Sequence, residues 1–213
     1  MIRATVALVA LCLLRPVLAQ EGLTVRFDAI PESWTVEGAE PAQGREGPAL
    51  WVGRDARVWF PTPEFITGGF DITLWISHRE ALSDLRFEEL VYLYHDTEDL
   101  RNRICLKKRI GTDEILFAMS DSGPGKGAEF AGNWYAMTSG PLAWQAGSWH
   151  CLRIVADRAN GRAALWIDGV KVASAEGTQF PEAAGTIWLG SWSGRSQARA
   201  AFDELTIAPV GEP

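Results

Sequence analysis

Apolar and polar residues alternate along most of this chain, which is typical of β-strands with one buried face. The alternation is clearest in Phe70–Ser77, where every second residue is Phe, Ile or Leu. No long amphipathic helical pattern interrupts it. Similar segments predict further strands at Leu23–Asp28, Ala49–Val52, Arg57–Phe60, Leu90–His95, Arg103–Lys108, Glu114–Met119, Asn133–Thr138, Thr186–Gly190 and Ala200–Ile207.

The segment 147–174 predicts three short antiparallel strands joined by two tight turns. Leu152, Ile154 and Ala156 share one side of the first strand. Asn160-Gly161 and Asp168-Gly169 separate the strands, and both dipeptides suit a two-residue hairpin turn that needs positive φ at its central residues. The segment is therefore expected to form a β-meander.

The remaining chain predicts one hairpin, two loops and an ambiguous stretch. Ala49–Val52 and Arg57–Phe60 are expected to pair across Gly53–Asp55. Residues 31–48 are polar and rich in Gly and Pro, and residues 121–132 are rich in Gly, so both are expected to be loops. Residues 79–89 could form at most a short helix.

The composition agrees with an all-β domain. The chain has 213 residues, of which 47% are hydrophobic, and it contains ten Trp, 21 Gly and 11 Pro. This is enough apolar material for one sizeable core with frequent turns. We expect a sandwich or barrel that forms a single domain over residues 20–213.

The N-terminus resembles a secretory signal peptide over residues 1–19. A short basic start is followed by eleven apolar residues, Ala4–Leu14, and by a cleavage site after Ala19. A membrane anchor is the alternative, but eleven residues are too few to cross ~30 Å of hydrocarbon. No other stretch is apolar enough to span a membrane, so we expect a secreted or periplasmic protein.

The charge of the mature chain limits its partners. Without Arg3 and Arg15 it has 18 basic and 27 acidic residues, a net charge of −9. An acidic surface argues against nucleic acid and against an anionic membrane surface. There is no Asn-x-Ser/Thr site, which is compatible with bacterial export.

Five segments, in this order, resemble the motifs of laminin G-like jelly-roll domains of the concanavalin A-like lectin/glucanase superfamily. They are Ala49–Val58, Gly69–Ile76, Gly147–Ile154, Leu165–Val170, and Gly190-Ser191 followed by Phe202–Ile207. The resemblance covers roughly residues 23–208 and is looser over 78–146. It implies two packed antiparallel sheets, one concave and one convex, with binding specificity carried by the divergent part.

The acidic residues do not complete a known catalytic pattern. Glucanases of this superfamily carry Glu-x-Asp-x-Glu on one strand, which places all three carboxylates on one face. Asp96 and Glu98 have the alternate spacing, but positions 94 and 100 are Tyr and Leu. His78, His95 and His150 have no metal-binding spacing, and no Ser-His-Asp set has local sequence support. Catalysis is therefore not indicated.

Several aromatic residues lie in or beside predicted loops, where flat rings could stack on sugars. They are Trp134, Tyr135, Trp144 and Trp192, and Asp96, Arg101 and Asn102 could add hydrogen bonds to hydroxyls. The alternative is that these aromatic residues only cap the ends of the sandwich. The other strand tryptophans are expected in the core or in sheet packing: Trp51, Trp59, Trp75, Trp149, Trp166 and Trp188.

Calcium and a disulfide are two further expectations. The superfamily often holds a structural Ca²⁺ where the first and last strands meet, and Asp28 and Asp203 are placed there by the resemblance. Alternatively, Asp28 caps a turn and Asp203 faces solvent. Cys105 and Cys151 could form a disulfide in an exported protein, but only if their strands are neighbours in one sheet.

These observations favour an exported, non-catalytic binding module for a polysaccharide or for a cell-envelope or extracellular protein. Two alternatives stay open. One is a glycan-active hydrolase or lyase with an atypical site. The other is a structural domain that only assembles with other envelope proteins.

Overall fold

The computed structural model describes residues 22–97, 102–121, 134–177, 180–192, 195–196 and 198–210. These ranges contain a short 3-10 helix, Glu64–Thr67, and seventeen strands. The strands are β1 (Leu23–Val25), β2 (Thr35–Glu37), β3 (Glu40–Gln43), β4 (Pro48–Val52), β5 (Arg57–Pro61), β6 (Gly69–Ser77), β7 (Leu90–Asp96), β8 (Arg103–Lys108), β9 (Glu114–Ser120), β10 (Trp134–Pro141), β11 (Trp149–Asp157), β12 (Arg162–Ile167), β13 (Val170–Glu176), β14 (Thr186–Leu189), β15 (Ser191–Trp192), β16 (Arg195–Ser196) and β17 (Ala200–Pro209). Within these ranges no helix is long and apolar enough to cross a bilayer.

Two antiparallel sheets pack face to face, which confirms the predicted all-β sandwich. The first sheet has the strand order β13-β12-β11-β6-β17-β4-β3, with β1 also paired to β17. The second has the order β10-β9-β8-β7-β14-β5-β2. Strands β15 and β16 form a separate small ribbon.

The core lies between the two sheets because alternate residues of each strand point inward. In β6 the side chains of Ile72, Leu74 and Ile76 are fully buried. Trp34 closes one part of this core, and its ring stacks on Phe60 with centroids 3.9 Å apart. The intervening residues of each strand lie on the two outer faces of the sandwich.

The predicted meander is confirmed as β11, β12 and β13, which are consecutive antiparallel neighbours. Asp168 and Gly169 both have positive φ, 52° and 79°, as a two-residue hairpin turn requires. The prediction of a second two-residue turn at Asn160-Gly161 is wrong. The connection there spans residues 158–161, because the Asp157 carboxylate caps a longer turn by accepting hydrogen bonds from Asn160 N and Nδ2 at 3.2 and 2.6 Å.

The predicted hairpin between Ala49–Val52 and Arg57–Phe60 is also wrong. Both segments are strands, but β4 pairs with β17 and β3 in the first sheet, and β5 pairs with β14 and β2 in the second. The turn between them carries the chain from one sheet to the other. Val52 and Val58 are both fully buried, since each faces the interior from its own sheet.

One predicted loop contains strands, whereas the ambiguous stretch agrees with the expectation of at most a short helix. Residues 31–48 contain strands β2 and β3, which lie at the edges of the two sheets. Residues 79–89 contain turns and no helix. Neighbouring groups bond the backbone there: Leu82 N donates to Trp144 O at 3.1 Å, and Lys108 Nζ donates to Arg86 O at 3.2 Å.

Candidate functional site

The outer face of the second sheet carries a row of aromatic and apolar side chains across five neighbouring strands. We call it the aromatic row; it consists of Trp59, Trp188, Tyr94, Cys105 and Ala118, each paired with the next. Residues on either side of these positions, such as Val58, Phe60 and Ile187, belong to the core. Strand alternation therefore puts the row on the outside.

Only one end of the aromatic row is open to solvent. Tyr94, Cys105 and Ala118 are at most 3% exposed, whereas Trp59 and Trp188 are half-buried. The two indoles stack with centroids 5.0 Å apart and an interplanar angle of 28°. Burial raises the pKa of the Cys105 thiol to about 12, so that thiol stays protonated and unreactive at neutral pH.

The backbone register brings two of the predicted sugar-binding positions onto this same face. Asp96 pairs with Thr186 and lies two residues from Tyr94 on β7, and Trp134 pairs with Ser120, which lies two residues from Ala118 on β9. Tyr135 pairs with Met119, whose side chain is in the core. Positions 134 and 135 therefore belong to opposite faces. The side chains of all three predicted residues lie outside the described part of the structure.

The other predicted sugar-binding residues are not gathered on this face. Asn102 is 2% exposed, and its Oδ1 accepts a hydrogen bond from Glu182 N at 2.7 Å, which ties two connecting segments together. Trp144 is 7% exposed and stacks on the His150 ring with centroids 4.1 Å apart. Their burial removes both from the candidate surface. Trp192 has a described backbone in β15 but not a described side chain, and Arg101 lies outside the described residues.

A groove crosses the outer face of the first sheet at β11, β12 and β13. Its volume is about 480 Å³. Short side chains form the floor, Trp166 and Lys171 form one wall, and Arg162 and Glu176 form the other. We call it the Trp166 groove; the floor residues are Val155, Ala164 and Ser174, which are cross-strand neighbours.

Two other outer-face tryptophans of the first sheet have a ring face covered by a cation. The Arg45 guanidinium lies 3.5 Å from the Trp75 ring centroid, and that of Arg79 lies 3.9 Å from the Trp51 centroid. Such contacts stabilise the indole and occupy the face that a sugar would need. Neither tryptophan is therefore a candidate for ligand stacking.

The start of β11 and the end of β12 bring together a Ser–His–Asp hydrogen-bonded set that has no local sequence motif. Ser148 Oγ lies 2.7 Å from His150 Nε2, and His150 Nδ1 lies 2.7 Å from Asp168 Oδ2. The three residues come together because Cys151 N also donates to Asp168 Oδ1, at 2.8 Å, across the hairpin. The available sequence signal is the Asp168-Gly169 turn, which returns the chain beside β11.

The Ser148 hydroxyl has two neighbouring acceptors. Ser148 Oγ lies 2.6 Å from Gln145 O and 2.7 Å from His150 Nε2, and its single hydrogen serves one of them. A nucleophilic serine donates to its histidine, and here the Gln145 carbonyl competes for that hydrogen. Trp144 covers one face of the imidazole. The set therefore acts as a clamp that fastens the turn before β11 to the β12–β13 hairpin.

The two predicted calcium ligands line one small cavity of about 150 Å³. Asp203 Oδ2 accepts a hydrogen bond from Arg45 N at 2.8 Å, and Arg26 and Arg45 also line the cavity with Asp28. Among the described residues no three His, Cys, Asp or Glu side chains converge as metal ligands. These carboxylates do not form a calcium cage by themselves, and calcium at Asp28 and Asp203 stays a prediction.

Cys105 and Cys151 are both free. Cys105 lies in β8 of the second sheet, and Cys151 lies in β11 of the first. Their strands are not neighbours, so the condition for the disulfide is not met.

No family model matches the chain, and no curated protein matches it in sequence. Solved structures match it in fold. Domain 4 of AbnA, a GH43 extracellular arabinanase from Geobacillus stearothermophilus solved with arabinotriose, has a TM-score of 0.63 at 18% identity and covers 88% of this chain and 93% of that one. The chain shares the two-sheet jelly-roll fold of that domain.

Two further matches agree with this jelly roll. The CBM40 of the Ruminococcus gnavus IT-sialidase, bound to α2,3 sialyllactose, has a TM-score of 0.52 at 12% identity, over 70% of this chain and 80% of that one. Mouse laminin α1 domains LG4-5 have a TM-score of 0.51 at 20% identity, over 90% of this chain and 41% of that one. At these identities the likeness is one of fold.

The candidate surfaces of the jelly roll use tryptophans that the sequence alone assigns to the core or to sheet packing. Trp59, Trp166 and Trp188 all lie on outer faces, because each alternates with buried apolar residues on its strand. Strand parity is the signal that could identify them. Strand parity does not reveal that Trp51 and Trp75, also on an outer face, each have an arginine over the ring.

Proposed function

We propose that this chain is a non-catalytic carbohydrate-binding module whose ligand surface is the Trp59–Trp188 end of the aromatic row. The observation that carries the proposal is a stacked, half-buried indole pair on the outer face of a sheet. Large aromatic residues on such a face expose apolar area to water unless a ligand covers it. Sugars present apolar C–H faces that stack on indoles.

One further observation supports a sugar as the ligand class. The AbnA domain solved with arabinotriose and the CBM40 bound to sialyllactose have the same fold.

Affinity electrophoresis in gels that contain arabinan, xylan or β-glucan tests the proposal. The wild-type chain is expected to be retarded by at least one polymer, and Trp59→Ala and Trp188→Ala should each weaken the affinity about fivefold. Trp75→Ala is the matched control, since Arg45 already covers that ring. Equal retardation of wild type and both variants would remove the Trp59–Trp188 surface.

The same polymers decide between binding and catalysis. A binding module should release no reducing ends on prolonged incubation. Steady release that is abolished by Asp96→Asn, Glu98→Gln or Ser148→Ala would place the chain among glycan-active enzymes instead. Capture of an envelope protein, with no retention on any glycan, would favour the protein-binding alternative.

We also propose that the chain is exported. The charged start, the apolar run and the Ala19 site support this. Expressed with its own leader in a bacterium, the folded protein should begin at or near Gln20. Mass analysis that finds Met1 on the soluble product would contradict export.

A further inference from the structure

The Trp166 groove exists because three neighbouring cross-strand rows differ in side-chain length. The middle row, Val155, Ala164 and Ser174, has short side chains. Rows on one face of a sheet are ~7 Å apart, so the two outer rows stand ~13 Å from each other across this floor. A trough of this width is open enough for a ring-shaped ligand.

One wall of the groove presents an indole. Trp166 is half-buried and pairs with Arg153 on β11 and with Lys171 on β13. The Arg153 guanidinium carbon lies 5.4 Å from the Trp166 ring centroid, farther than the arginines that cover Trp75 and Trp51. Asp71 holds that guanidinium through two close contacts, Nε–Oδ1 at 2.9 Å and Nη2–Oδ2 at 2.5 Å.

The floor row continues inward onto β6, where Asp71 pairs with Val155 and accepts hydrogen bonds from Arg153. At the other end Ser174 lies on β13, which is the edge strand of the first sheet. A ligand can therefore enter the groove from the sheet edge.

The charged groups around the groove balance. Arg162 and Lys171 are opposed by Asp157 and Glu176, which all line it. The Arg162–Glu176 contact is 3.6 Å long, and both side chains are well exposed, so the pair is weak and can exchange partners. Hydrogen bonds from Asn160 lower the pKa of Asp157, which keeps this carboxylate ionised as an acceptor.

We propose that the Trp166 groove is a second sugar-binding site, which takes a neutral sugar unit against the indole. Hydroxyl groups both donate and accept hydrogen bonds, so they suit a rim that carries two cations and two carboxylates. A charged ligand would meet as much repulsion as attraction on this rim. The proposal rests on the proposed function for its ligand class, but it uses a different face of the molecule.

Labelling with 5-fluorotryptophan separates the two surfaces in one experiment. Each ¹⁹F resonance is assigned with a Trp→Phe variant of the full chain, and oligosaccharides from arabinan, xylan and β-glucan are added in turn. We expect at least one neutral oligosaccharide to shift the Trp166 resonance, in the wild-type chain and equally in a Trp59→Ala/Trp188→Ala variant. Oligogalacturonate, which is acidic, should leave it unmoved.

The outcomes distinguish this proposal from the proposed function. Shifts at Trp59 and Trp188 without one at Trp166 overturn the second site alone. A shift at Trp166 alone upholds it and removes the Trp59–Trp188 surface. No shift with any neutral sugar, or one with oligogalacturonate only, refutes the groove as assigned. A concentration-dependent Trp166 shift without sugar would show that a second copy of the chain covers it.

Two variants complete the test. Trp166→Ala should weaken binding at this site about fivefold to tenfold. Ala164→Ile fills the floor without touching the indole and should abolish the sugar-induced shift at Trp166. Val170→Ala, at an exposed position of the same hairpin, is the control and should bind as wild type does. Unfolding midpoints in urea confirm that all three variants are folded.

Discussion

The environment of each tryptophan ring decides which indole is open to a ligand. Arg45 lies over Trp75 and Arg79 over Trp51, at 3.5 and 3.9 Å. Trp59 and Trp188 instead lie against each other, and Trp166 borders a groove floor of short side chains. The same residue type on the same kind of strand position thus has different neighbours from one strand to the next.

Asp168 makes two of the bonds in the Ser148–His150–Asp168 clamp and has a positive φ of 52°. Asp168→Ala removes the acceptors for Cys151 N and His150 Nδ1, and it places a residue that disfavours positive φ in the turn. We expect the free energy of unfolding of the Asp168→Ala variant to be about 2 kcal/mol lower than that of the wild type.

The matched variant is Asp168→Asn. Asn tolerates positive φ and retains an oxygen for Cys151 N, so it should lose about half as much stability in equilibrium urea unfolding. Equal losses in the two variants would contradict the clamp.

Gly190 cannot be replaced by a larger residue without displacing its neighbours. Its φ is 71°, and an added Cβ would lie 2.5 Å from the Ala198 Cβ and 2.8 Å from the Val52 Cγ1. Gly190→Ala should lower the free energy of unfolding by roughly 2–4 kcal/mol, since overpacking adds to backbone strain. Gly177→Ala isolates the backbone term, because its φ is 67° and nothing lies within 4 Å. A loss no larger than that of Gly177→Ala would contradict the steric argument.

Lys108, in β8, fixes the turn-rich segment 79–89 against the second sheet. The residue is fully buried, and Nζ donates to the carbonyl oxygens of Arg86, Glu88 and Arg109 at 3.2–3.4 Å. Burial lowers the pKa of this ammonium, although the three carbonyls satisfy its three N–H groups.

Lys108→Met should therefore loosen the segment. Phe87 is 76% exposed beside these carbonyls, so chymotrypsin is expected to cut after it faster than in the wild type. Lys171→Met, on the other sheet, is the control. Cleavage at the wild-type rate in Lys108→Met would exclude this role for the ammonium.

The success of sequence-based prediction differs among the strands for a physical reason. The β11–β12–β13 meander is predictable because its contacts are local, and the hydrophobic alternation and turn residues act on neighbouring positions. The partner strands of β4 and of β5 are not predictable in this way, because alternation shows which face of a strand is buried and not which sheet the strand joins. β2 and β3 are missed because edge strands with polar residues resemble loops.

The candidate surfaces depend on long-range register and were correspondingly harder to predict. The placement of Asp96 and Trp134 on one face follows from pairings that connect residues as distant as Trp59 and Trp188. The burial of Trp144 follows from its stacking on His150, which no local pattern indicates. Loop position alone is therefore a poor guide to an exposed aromatic residue.

The stability of the fold should decrease in mild acid because of two buried histidines. Burial lowers the pKa of His78 and of His95 to about 4, against 6.5 for the unprotected side chain. His78 bonds Tyr92 OH and Arg199 O, whereas neither ring nitrogen of His95 has a hydrogen-bond partner in the structure as described. Both histidines are therefore neutral in the folded state near pH 7.

Acid destabilises the folded state because the unfolded chain binds protons at these histidines below pH 6.5, whereas the folded state does not bind them until about pH 4. The contribution of the two neutral histidines to the free energy of unfolding is fully present above pH 6.5 and is lost as the pH drops towards 4. Between pH 7.5 and 5 we expect roughly 2 kcal/mol of loss for each histidine in urea unfolding.

His95→Leu should remove the share of His95, which is about half of the combined loss from the two histidines. It should also leave the stability at pH 7.5 unchanged or higher, because it replaces an unpartnered buried polar group with an apolar one. A variant with the full acid sensitivity of the wild type would contradict the assignment to His95.

The aromatic row and the Trp166 groove lie on the outer faces of two different sheets, which are packed back to back ~10 Å apart. One stiff polysaccharide strand cannot follow both faces of so thin a sandwich. A molecule with both surfaces occupied would therefore cross-link two polymer strands, so that mixing with a soluble glycan should raise its viscosity and, near equivalence, precipitate it. Trp166→Ala should still bind the polymer but leave the solution clear, and turbidity in that variant equal to wild type would show that the groove takes no part in cross-linking.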